Sequence, residues 1–250
     1  MTQGRVAHIT RHPIKGHGRE DLASVRLLAG ACLPWDRHWA VAQEGAKLNE
    51  GAWTPCASFA RGAKAPALMA VESTLDEATA TVTLRHPARG DITFRPDDPA
   101  DLPRFLDWVD PLIPETRARP ARIVTAGRGM TDSPFPSVAI LNMASLADLS
   151  ARMGHELSIH RWRGNLWLQG AEAWAEWDWI GREIAVGGAV LRIEERITRC
   201  VATKVDPATG VTDADTLGAL EAAFGHQDFG VYATVVRGGE VAVGSEWSLT

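Results

Sequence analysis

A chain of 250 residues with 45% hydrophobic and 23% charged residues can bury a sizeable core, as one large domain or two smaller ones. The formal net charge of -5 argues against a nucleic-acid surface, and no apolar run reaches the roughly 18 residues of a membrane span. Met1–Val6 has no apolar signal core, and Cys32, Cys56 and Cys200 form no CxxC pair and no zinc or iron–sulfur spacing, so reduced thiols in a cytoplasmic protein are expected.

The first part reads as strand-rich. Arg5–Thr10, Ser24–Leu27 and Trp39–Gln43 are predicted strands punctuated by glycines, followed by Ala67–Ser73, Thr79–Arg85 and Asp91–Arg95. The alternation in residues 80–84 is the clearest strand signal. Asp98–Asp110 reads as a helix, because Leu102, Phe105, Leu106 and Val109 share one face and Pro111 closes it. Pro120 opens a short strand over Ala121–Thr125. Gly127–Pro136 is Gly-, Pro- and Ser-rich and predicts a loop between an N-terminal part, 1–125, and a C-terminal part, 126–250.

A second helix starts at Asn142 or Ser145 and stops at Gly154. Ile159, Leu166–Leu168, Glu183–Val186, Ala189–Glu194 and Val231–Arg237 read as strands. Gly187-Gly188 and Gly238-Gly239 predict tight hairpins. Thr216–Phe224 is a third helix with Gly225 as its stop. The fold class expected is α+β but mostly β: an N-terminal β-rich domain and a C-terminal antiparallel β-barrel with short helices.

Chemistry concentrates around Cys200. The thiol follows Arg199 directly, and the turn signal Asp206–Gly210 comes within ten residues. A thiolate is both a nucleophile and a soft-metal ligand, and a neighbouring positive charge favours it. On these residues alone, a buried structural cysteine remains equally open. Lys15, Arg37, Arg163 and Arg199 each stand next to a turn or breaker. Converging, they would suit a ligand with several anionic oxygens, which Arg grips bidentately; singly, each reads as a surface charge. Of the ten tryptophans, Trp162, Trp167, Trp174, Trp177 and Trp179 crowd one region and read mainly as core, a minority as pocket wall. The histidines show no zinc-hydrolase spacing, and no Gly-x-Ser-x-Gly elbow exists.

The segment Arg199–Gly210 resembles the C-terminal signature of MOSC-domain proteins, named for the C-terminal domain of molybdenum-cofactor sulfurases. The resemblance extends through Asp228–Tyr232, Val243–Glu246, Ile140–Leu149 and Arg161–Leu166. Arg11–Gly16 is similar to the family's aromatic-Pro-Val-Lys-Ser element, and Asp36–Val41 to its Asp-Arg-x-Trp element. The blocks run in order over almost the whole chain. They match the two-part members that carry an N-terminal MOSC-associated barrel, typified by the mitochondrial amidoxime-reducing component.

The resemblance implies a molybdenum cofactor, a pterin bearing a phosphate and a dithiolene. By it, Lys15, Arg37, Arg163 and Arg199 would contact pterin or phosphate, Asn165 would hydrogen-bond nearby, and Cys200 would ligate the metal and be the catalytic residue. Ser137 is the placement for the family's pre-helix Ser/Thr, with Ser133 second and Asp132 nearby. Gly16 replaces the family's serine, and residues 47–54 lack its Thr-Ala-Arg element. Pyridoxal phosphate is a further ligand linked to the family. The implied activity is reduction of N-hydroxylated small molecules, with electrons from a separate protein, because the chain has no iron–sulfur ligands or flavin fold. The other readings are a non-catalytic cofactor or sulfur carrier with a persulfide on Cys200, and a plain binding module.

Overall fold

The computed structural model describes residues 3–49 and 51–250; Met1, Thr2 and Glu50, which belong to the opening segment and the 47–54 loop read above, lie outside the described residues. The strands in chain order are β1 (Gln3–Arg11), β2 (Ile14–Lys15), β3 (Glu20–Asp21), β4 (Ser24–Leu27), β5 (Trp39–Gln43), β6 (Glu72–Asp76), β7 (Thr81–His86) and β8 (Gly90–Phe94). After helix α1 (Leu102–Val109) come β9 (Pro120–Val124) and β10 (Val138–Asn142), then helix α2 (Met143–Met153), β11 (Leu166–Gln169), β12 (Glu183–Val186) and β13 (Ala189–Thr198). Helix α3 (Thr216–Phe224), β14 (Asp228–Arg237), β15 (Gly239–Ala242) and β16 (Glu246–Leu249) complete the chain. The protein is mostly β, as its alternation and turn chemistry require.

Seven strands close into a barrel in the order β11-β10-β14-β13-β12-β16-β1, with β1 pairing back onto β11. All these pairs are antiparallel except β10 with β11, which is parallel with Ile140 opposite Leu166. The first strand of the chain therefore supplies a stave to a barrel otherwise built from residues 138–249. Its register sets Val6 opposite Leu168 and Ile9 opposite Leu166, with a bulge between Val6 and His8. Inside, Val6, Ile140, Leu168, Ile193, Val231 and Trp247 are fully buried. Fully burying such side chains contributes about 1.5–3 kcal/mol each, which is why the closed barrel forms. β4 and β15 form a separate ribbon, another link between the two ends of the sequence.

The remaining N-terminal elements make a small three-stranded sheet, β2-β5-β9, and a meander, β6-β7-β8. They close over a second core that includes Trp39, Val82, Leu84, Phe94 and Phe105. The burial pattern of β7 alternates, with Val82, Leu84 and His86 buried. A third core packs α2 and α3 on the barrel's outside, around Leu149, Trp162, Trp167, Leu220 and Phe229.

Three expectations are corrected. Ala67–Ser73 is not a strand: Pro66–Ala70 forms a 3-10 turn, with Pro at its first position, and the strand starts only at Glu72. Ile159 belongs to another 3-10 turn, capped by the Ser158 hydroxyl accepting from the His160 N–H. Gly238-Gly239 does not close a hairpin, because β15 leaves β14 and pairs with β4. The predicted hairpin at Gly187-Gly188 does form, with Val186 opposite Ala189. Strands β10 and β16 were not expected. Every residue of β10 is buried, so it has no polar alternation to read.

Candidate functional site

Where the barrel meets the N-terminal sheets, a cleft of about 210 Å³ is lined by Lys15, Arg37, Arg163, Arg199 and Cys200 together. A smaller cavity of about 40 Å³ adjoins it and shares Arg37, Arg163 and Arg199 while adding Ser137 and Asn165. All the residues singled out in the sequence therefore converge on one region, although they come from segments up to 185 positions apart (Cys200 less Lys15).

Local backbone geometry explains the placements. Lys15 ends β2 and is 3% exposed; its Nζ donates to Met130 O at 2.8 Å and to Asp132 Oδ1 at 2.5 Å. Gly16 follows with φ +77, and a Cβ there would lie 2.6 Å from Ala60 O, so the departure from serine is dictated by packing. Arg37 and Arg163 both sit in the left-handed region, at φ 50 and 48, which is uncommon for residues other than glycine and clusters at functional sites. They are tied to each other: Arg37 Nη2 donates to Arg163 O at 2.8 Å. Arg163 Nη1 in turn donates to Gly18 O at 3.2 Å.

Arg199 extends the β13 edge, its N–H donating to Gln227 O. Its guanidinium grips Phe229 O through Nε at 2.7 Å and Nη2 at 2.5 Å, and Trp162 O through Nη1 at 2.9 Å. It lies over the Trp162 and Phe229 rings, which stack 3.9 Å apart. Cys200 is the one exposed cysteine of the three; it begins a 3-10 turn, Val201–Lys204, and its carbonyl accepts from Thr203 N and Oγ1. The buried reading of this sulfur is thus corrected. Asn165 is 2% exposed and its amide is spent on structure: Oδ1 accepts from Ala139 N and Nδ2 donates to Thr10 O. Ser137 is buried, and its hydroxyl accepts from Ser133 Oγ at 2.7 Å.

The charges do not cancel. Asp36 pairs with Arg37, Asp132 with Lys15, and Asp213 with Arg161. Arg163, Arg199 and Arg61 have no carboxylate partner among the described residues. Burial, reinforced by Arg37, pushes the Arg163 guanidinium down from 12.5 to about 9, and burial takes Arg199 to about 10. Burial likewise lowers Lys15, against the pull of Asp132. Burial opposes ionisation of Asp36, but Arg37 and His12 outweigh it and hold the carboxyl well below the usual range. Desolvation also opposes Asp132, yet Lys15 and Arg37 draw it to about 2. Burial, with Asp132 adding, raises Tyr232 to about 12, so its phenol stays protonated.

Several lining residues were missed. Tyr232 lies inside the Asp228–Tyr232 block, where nothing in its residue type sets it apart, and Arg61 lies past residues 47–54, the segment read for an arginine-bearing element, yet lines the cleft. Cys56, expected to be an ordinary thiol, lines the same cleft and accepts from Arg61 Nη1 at 2.9 Å. Buried His12, at the aromatic position of the Arg11–Gly16 element, likewise has no sequence signal of its own.

This arrangement suits an anion beside a soft metal. Arg163 Nη2 and Trp162 Nε1 are buried without a partner. Arg37 donates to Asp36 Oδ2 and Arg163 O and, in the tautomer with Nδ1 unprotonated, to His12 Nδ1, so at least two of its five N–H groups are left. The surplus of half-buried positive charge matches a phosphate monoester of roughly -1.5 to -2. An exposed sulfur at the same cleft adds a ligand for a soft or borderline metal.

The same halves of the chain match known families. Residues 3–106 match the MOSC N-terminal beta barrel domain and residues 130–248 the MOSC domain. Mitochondrial amidoxime reducing component 2 of Bos taurus is 40% identical over 76 residues, 30% of this chain and 22% of that protein. Mitochondrial amidoxime-reducing component 1 of Homo sapiens is 38% identical over 79 residues, 32% of this chain and 22% of that protein. The matched part thus spans less than a quarter of those relatives' length. Among solved structures, the YUAD protein of Bacillus subtilis is similar at a TM-score of 0.47 and 11% identity, over 99% of this chain and 95% of that one. YiiM from Geobacillus stearothermophilus aligns at a TM-score of 0.36 and 16% identity, over 45% of this chain and 53% of that one.

Proposed function

This chain belongs to the MOSC-domain proteins, with an N-terminal MOSC barrel domain, and from that premise we propose that its cleft binds a molybdenum cofactor and reduces N-hydroxylated small molecules. The observation that carries the reading is the pair of half-buried guanidiniums, Arg163 and Arg199, which have no carboxylate partner among the described residues and line the same cleft as the exposed Cys200. Bound there, the cofactor would supply a two-electron molybdenum centre able to cleave an N–O bond, releasing water.

The chain's own residues bind and orient. Arg163, Arg37 and Arg199 would hold the phosphate and pterin, with Lys15 close by; Cys200 would hold the metal. Tyr232, kept protonated, presents an O–H donor to an oxygen in the cleft. Asn165 would act from behind, tying the Ala139 and Thr10 backbones together rather than touching the ligand. Ser137 lies in the inner cavity, within reach of a pterin edge. Covalent capture of pyridoxal phosphate would need a free lysine amine, and the one lysine of the cleft, Lys15, is buried and held by Met130 O and Asp132. Electrons would arrive from a separate redox protein. Free thiols fit a reducing compartment, and no helix of the described residues is long and apolar enough to cross a membrane.

Exposure of Cys200 also favours a second reading, a sulfur carrier with a persulfide on that residue. One experiment separates them: expression in a cofactor-replete host, followed by metal and pterin analysis and an assay with an N-hydroxylated substrate and an artificial donor. Molybdenum with turnover is the expected result. Sulfane sulfur on Cys200 without molybdenum would support the carrier, and neither would leave a plain binding module.

A further inference from the structure

Within the aromatic-Pro-Val-Lys-Ser element, this chain puts an imidazole, His12, at the aromatic position. The ring is 0% exposed. Three of its groups engage the Asp36-Arg37 dipeptide. The His12 N–H donates to Asp36 Oδ1 at 2.8 Å, and the His12 carbonyl accepts from the Arg37 N–H at 2.6 Å. Nδ1 lies 3.2 Å from Asp36 Oδ1 and 3.2 Å from Arg37 Nη1. Arg37 needs such support, because its left-handed backbone at φ 50 is intrinsically unfavourable and Arg163 repels it.

We propose that His12 is a positioning residue for the anion site, its Nδ1 fixing the Arg37 guanidinium against the cleft wall with two N–H groups left for a ligand. Burial, together with Arg163 and Arg37, lowers the imidazole well below its ordinary value, so the ring is neutral and adds no charge of its own. A neutral imidazole can donate from Nδ1 to Asp36 or accept there from Arg37; a hydrocarbon ring can do neither. Asp36 Oδ2 accepts from the same Nη1 and Arg163 O from Nη2, so removing His12 loosens the hold on Nη1 rather than emptying the site.

The inference rests on the anion-binding reading of the cleft, and its test is arranged to tell the two apart. Inorganic pyrophosphate binding to the purified cofactor-free protein is measured by calorimetry, alongside pterin retained after expression in a cofactor-replete host. His12→Phe and His12→Gln are each expected to weaken pyrophosphate binding roughly tenfold, the scale of one lost hydrogen bond to a charged group. Gln keeps polarity and size, and guards against a folding failure of the Phe variant, but its amide reaches the Nε2 position. His12→Asn puts an amide where Nδ1 stands and is expected to bind within about threefold of wild type, the rescue that a merely structural role would not give. Equal binding by wild type and His12→Gln, or an Asn variant as weak as the Gln one, overturns the proposal, as does a wild type that binds no pyrophosphate. Wild type that binds pyrophosphate with the expected variant order, yet retains no pterin, supports the role of His12 and overturns the cofactor reading.

Discussion

Replacing Arg163 by methionine should make the cofactor-free protein more stable while removing its ability to hold the cofactor. Arg163 is pushed from 12.5 to about 9, chiefly by burial and then by Arg37. At about 1.4 kcal/mol per tenfold change in proton affinity, that drop corresponds to roughly 3–5 kcal/mol of penalty in the folded state at neutral pH. The sign follows from linkage. A base whose folded pKa is depressed penalises folding fully below the folded value; the penalty is relieved as pH rises from about 9 toward 12.5, where the unfolded chain binds more protons. Methionine keeps an unbranched stem at φ 48 but gives up the bond to Gly18 O, a loss of about 1–2 kcal/mol. The net gain is about 2 kcal/mol, or a Tm rise of roughly 4–8 °C for a chain of this size. Thermal and urea unfolding of cofactor-free wild type and variant would measure it. A variant less stable than wild type by 1 kcal/mol or more would refute the reasoning, since Arg163 would then be a structural cation rather than a group awaiting an anion.

Cys200→Ser should abolish reduction of an N-hydroxylated substrate while sparing some bound pterin, because a hydroxyl replaces a soft ligand; Cys32→Ser, with its buried sulfur against Gly129 O, should leave turnover unchanged. On sequence Cys56→Ser should be equally silent, but with Cys56 in the cleft a partial loss is now expected, and a dead Cys56 variant beside an active Cys200 variant would show that the wrong sulfur was chosen. Asp36→Asn should cost about 3–5 kcal/mol in denaturant unfolding, as for any buried ion pair stripped of one partner. Because the folded Asp36 carboxyl lies well below its unfolded value of 3.8, its stabilisation is complete above that value and is lost only as pH falls through the much lower folded value; the unfolding midpoints of wild type and variant should therefore stay apart from pH 7 to about 4 and only begin to approach each other by about pH 3. Gly16→Ser, which restores the family's residue, should cost at least about 1–3 kcal/mol and not improve pterin retention, because the φ of +77 and Ala60 O leave no room; a Tm equal to wild type would contradict this.

Local signals carried much of this structure. Strands β4, β5 and β12 and helix α3 were legible to the residue, because alternation, glycine stops and N-cap residues act within a few positions. Asn142 caps α2 by accepting from the Ala144 N–H, and Gly154 ends it at φ 74, both readable from residue type. What stayed hidden was non-local. β10 shows no polar alternation because both its faces are covered, and β15 abandons the apparent hairpin because β4, more than 200 positions earlier, offers the better edge. At the site, residue type and motif were enough for Lys15, Arg37, Arg163, Arg199 and Cys200. They were not enough for Arg61 or Cys56, whose membership depends on how residues 56–62 fold against Gly16 and Ala202, nor for Tyr232, which β14 brings to the cleft.

The position of β1 explains why the site lies at a seam. With β1 fixed as a barrel stave between β16 and β11, the chain that follows it, through Lys15 and Arg37, must cross the barrel mouth beside Arg163 and Arg199. The crossing is held by site side chains on distant backbone carbonyls: Lys15 on Met130, Arg37 on Arg163, Arg163 on Gly18 and Asn165 on Thr10. Closing the seam therefore takes these guanidiniums out of water and brings like charges together; the lowered Arg163 and Arg199 values record chiefly the burial, with repulsion from Arg37 adding to it, most at Arg163. A bound dianion reverses the sign of the interaction in the same geometry. Ligand binding and tight docking of residues 3–37 on the barrel should then be one linked equilibrium, so that an anion at 100 times its Kd adds about 2.7 kcal/mol to the whole fold.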